Sequence, residues 1–169
     1  MTKLDYAFFH RPCLEVAQDL VGKLLVHKTE SGIQYLRISE TESYCGADDT
    51  ACHVSKGRTP RTEVFYADAG TLYVYLCYGM HWMLNIVTGE KDEPEAVLIR
   101  ACMDAAGPGK LTKALGITGD RNRSSVVTSE SLWIGDDGFV CETVTDKRVG
   151  IGYASQEDQD RLWRYKMKK

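Results

Sequence analysis

Between Gly70 and Thr88 the sequence GTLYVYLCYGMHWMLNIVT places two β-rich apolar segments on either side of Tyr78-Gly79-Met80, where glycine can take a positive φ. This pattern predicts a β-hairpin with an aromatic residue at its tip. Leu72, Val74 and Leu76 alternate with Tyr73, Tyr75 and Cys77, so both faces are apolar and at least one packs against the body of the domain. Tyr78 has two readings. Aromatic-rich strands are usually core, but a tyrosine beside a tight turn that projects from a sheet is also a wedge for a flat surface such as a base stack.

Elsewhere the periodicity alternates between helix and strand. Leu14, Ala17, Leu20 and Val21 recur at helical spacing, with Gly22 suited to the position just past a helix end. Lys23 to Thr29 and Ile33 to Tyr44, joined by the turn Glu30-Ser31-Gly32, predict an antiparallel pair. Gly46 to His53 reads as a short helix with Asp48 and Asp49 near its start. Ala96 to Ala101 reads as a buried strand that places Arg100 among apolar neighbours, where it needs an anionic partner. Gly107-Pro108-Gly109-Lys110 opens a helix through Leu111, Ala114 and Leu115; such turns are commonly structural, but the helix start is also suited to a phosphate. Its spacing is not that of a Walker A loop. Ser131 to Ile134 and Phe139 to Thr145 bracket Gly135-Asp136-Asp137-Gly138, a second hairpin signal, and Arg148 to Ala154 reads as a glycine-rich strand.

One strand carries an internal conflict. With a period of two, Leu36 and Ile38 share a face with Glu40 and Glu42, so the side that begins as core ends on two carboxylates. Either they emerge at a pocket or pair with a cation, making one a candidate general acid or base, or the strand bends or bulges and leaves both in water.

Composition narrows the class. The chain has 169 residues, 43% hydrophobic and 27% charged, enough for one domain with a substantial core. Neither a signal pattern nor a spanning segment is evident, so a soluble intracellular protein that does not enter membranes is expected. Six cysteines without a CxxC pair argue for reduced thiols, and Cys45, Cys52 and His53 match no standard zinc spacing, so no metal and no cofactor is expected. The net charge of −3 argues mildly against a polyanionic partner. Its distribution tempers this, because Lys56, Arg58 and Arg61 share one loop and Lys110 and Lys113 lie one helical turn apart. Charge runs are usually solvated faces, and a lone histidine such as His53 is usually a structural hydrogen-bonder.

The segments SETESYCGADDTACH, GRTPR, AGTLYVYLCYGMHWMLNIV, EAVLIRA, GPGKLTKALGI and RVGIGYA, in this order and spacing, resemble the alkyladenine (3-methyladenine) DNA glycosylase family. The resemblance implies one compact α/β domain of the α+β type over residues 1–169, with a curved antiparallel sheet, surrounding helices and a protruding hairpin that enters the DNA minor groove. Tyr78 matches the intercalating tyrosine and Glu42 the carboxylate that activates water. Arg100 and the backbone carbonyl of Val149 match groups that help hold that water. Tyr44, His53 and Tyr75 match the residues enclosing the flipped base, and Asn85 the asparagine that disfavours guanine through its 2-amino group. Arg58, Arg61 and Lys110 are candidate contacts to the DNA backbone. Glu40 is left a supporting role, with Arg100 as its candidate partner, and Tyr73 is read as core. The segment from Gly119 to Ser125 and the short end after Trp163-Arg164-Tyr165 depart from the family pattern.

Extruding a nucleotide costs a few kcal/mol of unstacking and unpairing, which a planar wedge offsets. An alkylated purine is cationic, hence a better leaving group that stacks well on tyrosine faces. No lysine falls within the pocket motifs, so hydrolysis to an abasic site is expected rather than strand cleavage. The implied partner is double-stranded DNA with alkylated or deaminated purines, bound by a monomer in the cytoplasm and nucleoid of a bacterium or the nucleus of a eukaryote. The alternatives are a catalytically inactive damage-recognition module and a small-molecule hydrolase using Glu42.

Overall fold

The computed structural model describes residues 1–169. In chain order its strands are β1 (Thr2–Lys3), β2 (Leu24–Thr29), β3 (Gly32–Tyr44), β4 (Leu72–Cys77), β5 (His81–Thr88), β6 (Glu95–Cys102), β7 (Leu132–Asp136), β8 (Thr143–Asp146) and β9 (Arg164–Met167). The helices are α1 (Tyr6–Phe9), α2 (Cys13–Leu20), α3 (Pro108–Leu115) and α4 (Gln156–Asp160). All nine strands join one antiparallel sheet in the order β1-β7-β2-β3-β6-β5-β4, with β9 bridging β3 and β8. This is the α+β architecture anticipated above.

The thirteen-residue strand β3 connects the two halves of the sheet. Gly32 to Arg37 pair with β2, and from Ile38 onward the strand pairs with β6 on one edge while Glu40 to Glu42 pair with β9 on the other. Both halves supply the main core, and the change of partner carries one strand from the β2 half into the β6 half, which also carries the site.

Helix α2 lies over this junction. Cys13, Val16, Ala17 and Leu20 face the core, and Gly22 takes φ +94° just beyond the helix end, as its sequence position suggests. Each fully buried valine or leucine here contributes about 1.5–3 kcal/mol relative to exposure. Helix α3 contributes Leu111 and Leu115 to the same core and begins with Pro108 at its first turn after Gly107, whose φ is +138°. No helix is long and apolar enough to cross a membrane, and all six cysteines are free.

Three local expectations are corrected. Gly46 to Cys52 forms turns rather than a helix, followed by a 3-10 turn at His53–Lys56. The cause is Asp49, which turns inward, accepts the Cys45 and Ala51 backbone N–H groups and binds Arg148. The second hairpin does not form, because β7 pairs on its two edges with β1 and β2, leaving β8 to pair with β9. Arg148 to Ala154 is an irregular loop, fastened by side-chain contacts instead of a ladder.

Candidate active site

The site begins where the sheet loses its regular register. Between Ile38 and Thr41 the pairing with β6 shifts twice, leaving Ser39 and Arg100 without cross-strand partners. A bulge re-aims side chains. Here it sets the Arg100 side chain beside Glu42, with Nε 2.8 Å from Oε2. The N–H is not aligned for a hydrogen bond, so the contact is a close ion pair. Both alternatives raised for the two carboxylates are therefore partly met: the strand does bulge, yet Glu42 is fully buried. Glu40 is half-buried and pairs with Arg164 at 3.3 Å, not with Arg100.

An unpaired carboxylate buried this way would cost several kcal/mol. Glu42 is compensated three times, by Arg100, by the Tyr44 hydroxyl donating to Oε1 at 2.9 Å, and by the Val149 backbone N–H donating to Oε2 at 2.7 Å. Tyr44, Arg100 and Val149 all line a single cleft of ≈ 690 Å³, a size suited to a small ligand. The three polar partners of the carboxylate thus all line the cleft, while Glu42 itself is fully buried behind them. Val149 was singled out for its carbonyl; the contact made to Glu42 is through the amide, and the carbonyl accepts no backbone hydrogen bond.

Aromatic side chains enclose the inner end of the cleft. Tyr44, His53 and Tyr75 all line it, the His53 and Tyr75 rings edge-to-face with centroids 4.8 Å apart. Tyr73 is buried beneath them, as read from the sequence, and its hydroxyl lies 2.9 Å from His53 Nδ1. A second recess continues inward from these residues to Asn85, which is buried and spends its Nδ2 on the Tyr73 carbonyl at 3.2 Å. Burial, followed by the charges of Arg61 and Lys56, lowers the His53 pKa to about 4, so the ring is neutral near pH 7. Burial, and next the neighbouring Glu42, raises the Tyr44 hydroxyl well above its ordinary value, and burial does the same for Tyr75. The cleft thus offers tyrosine π faces, which suit a flat ligand, beside an ion-paired carboxylate.

The hairpin of β4 and β5 forms the outer rim. Its three-residue tip leaves Tyr78 91% exposed at φ +53°, followed by Gly79 at φ +65°. A left-handed tyrosine is strained by roughly 1–3 kcal/mol, and nothing around it is buried in return. The core reading of Tyr78 is thereby excluded. Helix α3 packs so closely on this hairpin that a Cβ at Gly109 would meet the His81 ring at 2.6 Å, which fixes the helix start and the exposed Lys110 at the cleft edge. Arg61 also lines the cleft, with its guanidinium 5.3 Å from the Tyr75 ring centroid. Arg58 is turned aside to Glu63 at 2.6 Å and does not face the cleft. Cys45, Cys52 and His53 do not converge on a common point.

Sequence reasoning missed Asp49, Arg148 and Tyr153. Tyr153 closes one side of the cleft with its hydroxyl fixed to the Ala51 carbonyl at 2.7 Å. Lys110 also shows that one lysine does reach the cleft, from outside the motifs that form its inner end.

An aromatic slot over a buried carboxylate, beside an exposed aromatic on a projecting hairpin, is the equipment needed to act on a base lifted out of a duplex. The comparisons with known proteins agree. The model of the methylpurine-DNA glycosylase family matches residues 7–169. A protein of Natranaerobius thermophilus named "Putative 3-methyladenine DNA glycosylase" is 39% identical, the match covering 96% of this chain and 94% of that protein. Proteins carrying the same name in Methanocella arvoryzae and Borreliella afzelii are 42% and 40% identical, over 98% and 96% of this chain and 92% and 94% of theirs. The chain belongs to the methylpurine-DNA glycosylase family. It is a DNA-repair hydrolase of base excision, acting on the N-glycosidic bond.

Proposed function

We propose that the protein is a monofunctional DNA glycosylase which removes 3-methyladenine from double-stranded DNA, takes 7-methylguanine and hypoxanthine as further substrates, and leaves an abasic site. It acts as a monomer, in the cytoplasm and nucleoid of a bacterial cell or the nucleus of a eukaryotic one. The observation that carries the reading is the placement of Glu42, buried and held by Arg100, Tyr44 and the Val149 amide, three residues that line the cleft.

In this reading Tyr78 enters the base stack and fills the space left by the extruded nucleotide. The extruded purine slides between Tyr44 and the pair His53 and Tyr75. A cationic purine gains from the tyrosine faces, and a neutral His53 does not repel it. Asn85 at the inner end faces the purine edge that carries the 2-amino group in guanine, which disfavours normal guanine.

Hydrolysis then follows from charge. A water displaces one of the present partners of the carboxylate, with Arg100 and the Val149 carbonyl holding it. Glu42 accepts a proton from this water as its oxygen bonds to C1′ and the C1′–N bond breaks, the electron pair leaving with the purine. The ionised carboxylate also stabilises the positive sugar as the bond stretches. Lys110 is exposed at the rim rather than desolvated beside the carboxylate, so it lacks the environment that activates a nucleophilic amine. Lys110, Arg61 and the start of α3 meet the phosphate backbone. Arg58, engaged with Glu63, contacts it only at the periphery.

The test is to incubate the protein with methylated duplex DNA and measure free bases and abasic sites. Release of 3-methyladenine without alkali-independent nicking, and without a borohydride-trapped protein–DNA adduct, is expected. Binding without release identifies a recognition module, and release of base from free nucleosides but not from duplex DNA identifies a small-molecule hydrolase.

A further inference from the structure

The most completely buried ion pair in the molecule lies behind the site, and none of the proposed chemistry uses it. Arg148 has a fully buried side chain and holds Asp49 through both terminal nitrogens, Nη1 to Oδ2 at 2.6 Å and Nη2 to Oδ1 at 3.0 Å. Nη1 also donates to the Ser43 carbonyl at 2.9 Å and Nη2 to the Asp158 carbonyl at 3.2 Å. The guanidinium lies 5.1 Å from the Tyr44 ring centroid and 4.9 Å from that of Trp163.

Two features make this more than a stabilising contact. First, consecutive residues grip consecutive residues: Arg148 holds the Ser43 carbonyl while Val149 holds the Glu42 carboxylate. Second, the Arg148 to Ala154 loop has no strand neighbour, so its distance from β3 is set by side chains. A fork with two parallel hydrogen bonds fixes that distance far more tightly than a single contact does. Asp49 is itself anchored by the Cys45 and Ala51 backbone N–H groups, so the fork is tied to the chain just beyond Tyr44.

We infer that Arg148, oriented by Asp49, is a positioning residue for base release: it sets where the Val149 amide and carbonyl stand over Glu42, and it backs the Tyr44 ring that faces the extruded base. The inference rests on the function proposed above. A buried pair of this kind is poor evidence of stabilisation by itself, since well-packed apolar groups often serve as well. What apolar groups cannot supply is the directional hold on the Ser43 carbonyl and the loop.

The experiment compares Arg148→Lys and Asp49→Asn with the wild type and with Leu25→Ala. Leu25 is a core residue in β2, on the far half of the sheet, and its truncation lowers stability without touching the site. Single-turnover release of 3-methyladenine at saturating enzyme, affinity for a duplex carrying an abasic-site analogue, and thermal melting are measured. All assays run well below each variant's own melting midpoint.

Arg148→Lys keeps the charge and loses the fork. Its release rate is expected to fall by about 100-fold, the scale of a misplacement of about 1 Å, while DNA affinity stays within a few-fold and Leu25→Ala keeps the wild-type rate. Asp49→Asn retains one acceptor and is expected to fall less. An unchanged rate in Arg148→Lys, a rate loss matched by lost affinity, or an equal loss in Leu25→Ala each overturns the inference. Absence of release by the wild type refutes the proposed function instead, so the two failures are distinguishable.

Discussion

The backbone N–H of Val149 donates to Glu42 Oε2 at 2.7 Å across 107 residues of sequence. Together with Arg100, 2.8 Å away on β6, it fixes one carboxylate oxygen from two separate segments, so the orientation of the proposed base depends on the finished tertiary fold.

This arrangement has a stability consequence. Arg100→Met leaves Glu42 buried without its counter-charge and is expected to destabilise the protein by about 3–5 kcal/mol. Glu42→Ala strands Arg100 in the same way. Because the two share one interaction, the double variant is expected to lose clearly less than the sum. Urea unfolding of the four proteins measures this, and strict additivity would show that the pair is not coupled.

Tyr78 is expected to separate stability from function. With its ring 91% exposed, Tyr78→Ala changes folding stability by no more than about 0.5 kcal/mol. Base extrusion, followed by the fluorescence of a base analogue beside the lesion, is expected to weaken strongly. Undiminished extrusion would remove the tyrosine from the wedge role.

Lys110 and Arg61 differ from Arg58 in facing the cleft. Replacing Lys110 with Ala is expected to lower DNA affinity irrespective of sequence and to reduce the slope of log K against log salt by about 1. Arg58→Ala is expected to alter that slope much less. Titrations over a series of salt concentrations distinguish the two.

His53 predicts an acid-side loss of stability. Its pKa is depressed from 6.5 to about 4 on folding, chiefly by burial, so between these values the unfolded chain binds more protons than the folded one. Stability from the neutral ring is fully present above pH 6.5 and declines as pH falls toward 4. The melting midpoint of the wild type is therefore expected to drop across this window more steeply than that of His53→Gln. Parallel slopes would contradict the depressed pKa.

Alternation and turn chemistry made the hairpin, the β2 and β3 pair, α2 and α3 legible in the sequence, since each depends on local periods and on glycine or proline at the ends. The conflict in β3 was legible too, but not its resolution. A regular strand would carry Glu40 and Glu42 on the face of Leu36 and Ile38; the register shift at Ser39 breaks that phase ahead of both, and each carboxylate meets its own arginine. A bulge leaves no trace in hydropathy. Asp49 was read as the start of a helix because its partner Arg148 lies 99 residues away, and a pairing at that distance has no local signature. Arg148 to Ala154 looked like a strand for a related reason: its apolar and glycine residues suit close packing, but the segment is held to β3 by side-chain contacts and pairs with no strand.

The central claim is that Glu42 activates water against a base held in the cleft. Single-turnover release of 3-methyladenine from duplex DNA by Glu42→Gln, beside the wild type, tests it most directly. The amide keeps the shape and loses the charge, so release is expected to fall by about 100-fold to 10,000-fold while affinity for the damaged duplex is largely retained. Release at the wild-type rate would contradict the claim.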